Sequence, residues 1–175
     1  MRIIIGYLSR AGSTRQYAEW LAESVGGEAV SLKERAASAL LAGADLPVLC
    51  GAIEIGRPAF LGWLKKHWTV LGSRKPILVL TSGERKEEGP KMDADMAEAL
   101  GEELMAGTCR FYVGGRYDIA TMPFMMRVML KIAAALTKDP EVKRGMLEPY
   151  EDMNRANLDP VLAEIKVRAD KEQDS

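Results

Sequence analysis

The chain has 175 residues, 47% of them hydrophobic and 28% charged, with 8 prolines and 2 cysteines. These values exclude a collagen-like, disordered or disulfide-framework protein and point to one hydrophobic core, with a folded surface of about 8,400 Å² from size scaling. The 24 basic and 25 acidic side chains leave a net charge of −1, so overall electrostatics give no ground for a nucleic-acid partner.

The first predicted element is a buried strand, Arg2 to Leu8, which begins without the cleavable apolar region of a signal peptide. No uncharged apolar run approaches the roughly 20 residues that a bilayer span requires. The expected location is therefore the cytoplasm or the inner face of its membrane. A helix follows from Thr14 to Ser24, with Ser13 or Thr14 as cap, Tyr17, Ala18, Leu21 and Val25 turned inward, and Gly26-Gly27 as its stop.

A weaker strand, Glu28 to Leu32, precedes a helix from Lys33 to Leu41. Next come a strand from Asp45 to Ala52 and a helix from Pro58 to Leu71, in which Pro58 occupies an early position that tolerates a missing N–H. The strand Pro76 to Thr81, the helix Met92 to Ala106 and the strand Cys109 to Gly114 complete the alternation. Strands separated by single helices predict a parallel sheet covered on both faces, and right-handed crossovers make it doubly wound.

The stretch from Gly115 to Tyr150 is too long for an ordinary connection. Within it, residues 122–136 read as a Met-rich helix whose only charges are Arg127 and Lys131, ended by Asp139-Pro140. Its oily surface has three candidate partners: its own domain, a membrane surface or quinone-bearing partner, or a second copy of the chain. A last helix runs from Leu158 to Val167, and the charged end from Arg168 is expected to fray. The expected organisation is one domain over residues 1–169, with an insertion at about 116–150 and a frayed tail at 170–175.

In an open parallel sheet, ligands sit beyond the carboxyl ends of the strands. Four loops lie there. Ser9-Arg10-Ala11-Gly12-Ser13-Thr14 offers three hydroxyls, a glycine and helix N-terminal amides, which suit either a phosphate monoester or simple capping of the helix. It matches neither the nucleotide-hydrolase nor the dinucleotide glycine pattern. Gly51-Ala-Ile-Glu-Ile-Gly-Arg-Pro58 has glycines that let backbone close over a planar ligand. Thr81-Ser82-Gly83-Glu84 offers backbone groups to a heterocycle's polar edge, and Gly114-Gly115-Arg116-Tyr117 adds a cation and an aromatic ring. Together they describe a cleft with a phosphate end and a flat end of mixed polarity.

Cys50 and Cys109 read as buried thiols, and the single His67 cannot build a multi-histidine metal site. No metal ligand or catalytic side chain is assigned. Trp20, Trp63 and Trp68 fall within helices, where packing is the expected role. An acidic Mg²⁺ cluster of the response-regulator kind is absent, since Gly6, Tyr7 and Leu8 stand at the end of the first strand.

Tyr7-Leu-Ser-Arg-Ala-Gly-Ser-Thr-Arg-Gln-Tyr-Ala resembles the phosphate loop and first helix of the flavodoxin family, and the likeness continues through Gly51-Ala-Ile, Phe60-Leu-Gly-Trp-Leu-Lys-Lys and Gly114-Gly-Arg-Tyr. The region after residue 110, with Arg127, Met129, Lys131 and Ile132, resembles more narrowly the flavodoxin-like, menaquinone-dependent protoporphyrinogen oxidase branch. The resemblance implies a three-layer α/β sandwich with a five-stranded parallel sheet of order 2-1-3-4-5, and a helical insertion after the fifth strand. It also implies flavin mononucleotide (FMN) as cofactor and an oxidoreductase or electron-transfer role with a small-molecule or quinone partner. In this chain the implied phosphate contacts are Ser9, Gly12, Ser13 and Thr14, with backbone N–H groups of Arg10 and Ala11. The loop holding Ala52, Ile53, Glu54, Ile55 and Gly56 resembles the one flanking the dimethylbenzene edge. Thr81, Ser82 and Gly83 would meet the polar edge, and Gly115, Arg116 and Tyr117 the remaining side. Arg57 and Arg116 would favour an anionic reduced flavin or an acidic substrate. The alternative is a non-enzymatic module of the same fold that has lost its cofactor and recruits a partner through the Met-rich helix.

Overall fold

Strict alternation of side chains along the strands explains the architecture, because each strand feeds two separate cores. The computed structural model describes residues 1–10, 12–54, 56–82, 89–117, 119–121 and 124–173. The strands are β1 (Ile3–Leu8), β2 (Glu28–Ser31), β3 (Leu46–Glu54), β4 (Arg57–Pro58), β5 (Ile77–Ser82), β6 (Cys109–Gly114), β7 (Arg116–Tyr117) and β8 (Tyr150–Glu151). The helices are α1 (Ser13–Val25), α2 (Ala37–Ala42), α3 (Leu61–Leu71), α4 (Gly89–Gly107), α5 (Phe124–Leu136), α6 (Pro140–Leu147) and α7 (Asp159–Gln173).

The sheet order is β2-β1-β3-β5-β6, all parallel, and among the five long strands this is the expected 2-1-3-4-5. Ile3, Ile5, Val48, Cys50, Ile77 and Val79 pack on one face beneath α1 and α7. Ile4, Leu49, Leu78 and Leu80 pack on the other with residues of α2, α3 and α4. The chain forms the three-layer α/β sandwich of the flavodoxin-like kind, with its helical insertion after β6.

Several local expectations require correction. Pro58 lies in β4 rather than in the helix, because β3 runs on to Glu54 and the chain turns back through Gly56 (φ 70°) to pair Ile53 with Pro58. The helix of residues 92–106 begins earlier and is broken at Gly101, whose φ of 78° and ψ of 168° only glycine adopts readily. Asp139-Pro140 does not merely end the Met-rich helix. Pro140 starts α6, consistent with proline's tolerance at a first helical position. The charged end from Arg168 stays helical as far as Gln173, where Arg168 donates to the Lys75 carbonyl at 2.6 Å and pairs with Glu164.

The accessible surface is 10293 Å², larger than size scaling expects. Part of the excess is α5, where Phe124, Met125, Met129, Ile132 and Leu136 stand exposed. Within the described residues, no helix is long and apolar enough to cross a membrane.

Candidate functional site

Strand register brings the four loops to one edge. Leu8 lies opposite Gly51, Ala52 opposite Thr81, and Ser82 opposite Gly114. The ends of β1, β3, β5 and β6 therefore form a row. Between β1 and β3 the chain changes direction, since β1 is flanked by β2 on one side and β3 on the other.

The first loop enters α1 through Gly12, whose φ of 92° lies in the left-handed region. The Gly12 N–H donates to Ser9 Oγ at 3.1 Å, while its carbonyl accepts from Gln16 N at 3.0 Å. Neither Ser13 nor Thr14 caps the helix, contrary to the capping alternative. Gly12 is the cap residue, and among the described residues no side-chain cap hydrogen bond is made there. The positive end of the α1 dipole faces the row of loops. Thr14 is buried beneath the loop and Ser13 is half-buried, with Arg10 exposed. Ala11 lies outside the described residues.

The second loop is a tight β-hairpin. Ala52, Ile53 and Glu54 belong to β3, Gly56 makes the turn, and Ala59 N donates to Ala52 O at 2.9 Å. Ile53 is only half-buried and leans on the core beside α3. Ile55 lies outside the described residues. Glu54 Oε1 stands 3.5 Å from Arg10 Nε, so an exposed ion pair ties the tips of the first two loops. A groove of about 400 Å³ runs beside the hairpin between Glu54, Arg57, Ala59, Leu61 and Lys65.

Loops three and four meet directly. Gly115 N donates to Ser82 O at 2.8 Å, and a β-carbon on Gly115 would stand 2.9 Å from Thr81 Cγ2. Thr81 is 6% exposed, and its Oγ1 is buried without a hydrogen-bond partner among the described residues. An orphaned hydroxyl costs free energy unless something meets it. Gly83 lies outside the described residues. Arg116 does not stand free, because it forms an exposed 2.5 Å ion pair with Glu151. Tyr117 pairs through its backbone with Tyr150, so β7 and β8 clasp the root of the insertion.

One group of contacts has no local sequence signal. The Tyr17 hydroxyl donates to Gly114 O at 2.7 Å and accepts from Asn157 Nδ2 at 2.9 Å, and Asn157 also donates to Asp152 O at 2.7 Å. These residues tie α1 to the end of β6 and to the chain returning from the insertion. The apolar stripe of α1 marks Tyr17 as core, and nothing in spacing links it to a residue 140 positions away. Burial raises the Tyr17 pKa, and burial together with the Asp93 carboxylate raises that of Tyr112.

The remaining candidates are structural. Trp68 donates to Glu103 at 2.7 Å, Trp63 stacks on His67 with centroids 4.3 Å apart, and Trp20 meets the Tyr17 ring edge-on. Cys50 is fully buried, whereas Cys109 is only half-buried; both are free thiols. Among the described residues no three His, Cys, Asp or Glu side chains gather as a metal site. A larger groove, about 670 Å³ between Ile3, Val25, Leu162 and Ile165, lies at the opposite edge of the sheet, away from the loops.

The family model described as "Flavodoxin domain" matches residues 4–143. Solved structures match the chain at low identity. A flavodoxin, WrbA-like protein from Agrobacterium tumefaciens is 15% identical over 65% of this chain and 83% of its own, with a TM-score of 0.48. An NAD(P)H:quinone oxidoreductase from Methanothermobacter marburgensis is 16% identical over 77% and 94%, with a TM-score of 0.46. The two-electron reduced flavodoxin of Megasphaera elsdenii is 16% identical over 64% and 82%, with a TM-score of 0.40. No curated protein matches the chain.

Proposed function

The chain belongs to the flavodoxin domain family, and from that premise we propose that it binds FMN along its carboxyl-edge loops and works as an oxidoreductase. The observation that carries this reading is the uncapped start of α1 behind Gly12. A helix N-terminus without a side-chain cap among the described residues, next to Ser9, Ser13 and Thr14, suits a phosphate monoester. FMN also fits the Thr81 hydroxyl, which stands on the same edge with no hydrogen-bond partner among the described residues.

In this reading Ser9, Gly12, Ser13 and Thr14 hold the phosphate with the amides of Arg10 and Ala11. Ala52, Ile53, Glu54, Ile55 and Gly56 line the dimethylbenzene side. Thr81, Ser82 and Gly83 address the polar edge of the ring, and Gly115, Arg116 and Tyr117 close the other side. FMN, when bound, supplies the one- and two-electron redox chemistry. The protein's part is to fix the ring, exclude water and set the field around it. Here the Arg10–Glu54 and Arg116–Glu151 pairs temper the cations that would otherwise favour an anionic reduced ring.

We assign the finer chemistry, oxidation of a porphyrinogen with a quinone as acceptor, to the likeness of the region after residue 110 to the protoporphyrinogen oxidase branch. The cytoplasm is the matching location, and residues 1–169 are taken as one domain with the insertion inside it.

The test is an absorption spectrum of protein purified from flavin-rich cells, followed by FMN titration of the stripped protein. Saturable 1:1 binding is expected. A folded, monodisperse sample that binds no FMN would leave the alternative, a cofactor-free module of the same fold. Anaerobic assay of the loaded protein with protoporphyrinogen and a menaquinone analogue then checks the finer chemistry, which falls if no porphyrin fluorescence develops above the flavin-only control.

A further inference from the structure

We infer that α5 is a docking helix for an anionic lipid bilayer, lying in the plane of the interface with its Met-rich face turned into the lipid. Met125, Met129, Ile132 and Leu136 follow at intervals of four, three and four residues, which puts them on one stripe of the helix. Together with Phe124 they are between 55% and 78% exposed. The opposite side holds buried Ala134 and half-buried Arg127 and Leu130, and α6 packs beside the helix. The protein's own core therefore leaves the oily stripe uncovered.

Charge selects the occupant. From Phe124 to Lys138 the sequence contains Arg127, Lys131 and Lys138 and no acidic residue. Across residues 124–149 there are five basic and three acidic side chains, on a chain whose net charge is −1. The insertion is positive and the remainder negative, so an anionic surface attracts this end and repels the rest, which orients the molecule. Each basic residue near such a surface raises partitioning roughly fivefold at low ionic strength.

Two other occupants fit less well. The helix has 13 residues, about 20 Å, too short to cross a hydrocarbon core of about 30 Å. A second copy brought up by twofold symmetry would set a wholly cationic helix against itself. It would also offer five large side chains where a stable interface takes roughly 20–30 residues a side. An interfacial helix needs only an apolar stripe and cations on its remaining surface, which exposed Lys131 supplies, together with exposed Lys138 just past the helix end.

The placement matters for the loops. Phe124 follows Tyr117 by seven residues, a reach of no more than about 25 Å, and Tyr117 belongs to the clasp beside Gly114 at the carboxyl edge of the sheet. A docked α5 holds that edge close to the bilayer, within range of an acceptor dissolved in lipid. The docking itself rests on α5 alone and not on flavin binding.

The test is flotation of the full chain, with and without added FMN, on vesicles of phosphatidylcholine and of phosphatidylcholine mixed with phosphatidylglycerol, at low and high salt. We expect flotation on the anionic vesicles by both forms, falling about tenfold without the anionic lipid or in high salt. Met129→Glu and Ile132→Glu should each abolish it while leaving the circular-dichroism melt unchanged, because both positions are exposed. Absence of flotation, equal binding to both vesicle types, or wild-type binding by folded Met129→Glu overturns the inference. So does a concentration-dependent dimer that Met129→Glu dissociates in a protein that ignores vesicles. Flotation by protein that binds no FMN upholds the docking and removes the flavin reading instead.

Discussion

The Tyr17 hydroxyl donates to the carbonyl of Gly114 at 2.7 Å, which joins the helix behind the first loop to the end of the last long strand. Asn157 completes the junction by donating to the same hydroxyl. Tyr17→Phe keeps the ring and its packing but leaves a buried carbonyl and an amide short of one partner. That should cost about 1–3 kcal/mol, read as a lower urea midpoint at unchanged m-value. It should also speed proteolysis within residues 118–149, since the returning chain at Asp152 loses part of its anchor. An unchanged midpoint would mean that the hydroxyl is dispensable to the junction.

Gly51 and Gly12 constrain the edge in different ways. A β-carbon at Gly51 would stand 2.3 Å from Cδ1 of the buried Phe60, so Gly51→Ala must displace the aromatic ring. Overpacking of this kind costs about 1–3 kcal/mol and should lower Tm by roughly 2–10 °C. Gly12 has open space around it, and only its φ of 92° penalises a side chain. Gly12→Ala should cost about 1 kcal/mol. Melting curves that rank the two variants the other way would show that Phe60 yields easily.

Much of this arrangement is legible in the sequence. Cys109–Gly114 is both the predicted and the observed strand, because an apolar run bounded by turn residues leaves little choice. The doubly wound class follows from the alternation and right-handed crossovers, whereas the order 2-1-3-4-5 comes from the family resemblance. What escapes is tertiary. Pro58 looks like a helix start until one sees that β3 extends to Glu54 and needs a strand to turn back on. The Gly101 break is hidden because glycine inside a helical pattern is common enough to pass. Arg116 reads as a cation for the cleft, yet Glu151, brought back by a pairing 35 residues long, engages it. The first loop is legible as a composition, whereas the absence of a side-chain cap appears only in three dimensions.

Ser9 and Thr14 bear directly on the flavin reading. Ser9 Oγ accepts from the Gly12 amide and Thr14 is buried under the loop. The double variant Ser9→Ala, Thr14→Ala should weaken FMN binding by about thirtyfold to a thousandfold, taking about 1–2 kcal/mol for each hydroxyl that addresses a charged group. Near-native far-ultraviolet circular dichroism is expected to accompany the loss. Isothermal titration distinguishes the cases: unchanged affinity in both single variants and the double would move the phosphate away from this loop.

The last prediction concerns alkali. Burial pushes the Cys50 thiol from an ordinary 9.0 up to about 12, because the thiolate has no water or cation to stabilise it inside the sheet. The folded value lies above the unfolded one, so the contribution to stability is complete below pH 9 and is lost as pH rises towards 12. Three units correspond to at most about 4 kcal/mol. Tyr17 and Tyr112, both raised, add a further decline above pH 10. Cys50→Ala should cost about 1–2 kcal/mol at pH 7 through lost packing, yet flatten the fall in stability between pH 9 and 10, before the tyrosines titrate. Chemical denaturation measured across that interval checks the point, and parallel curves for the two proteins would show that the Cys50 thiol does not carry the fall.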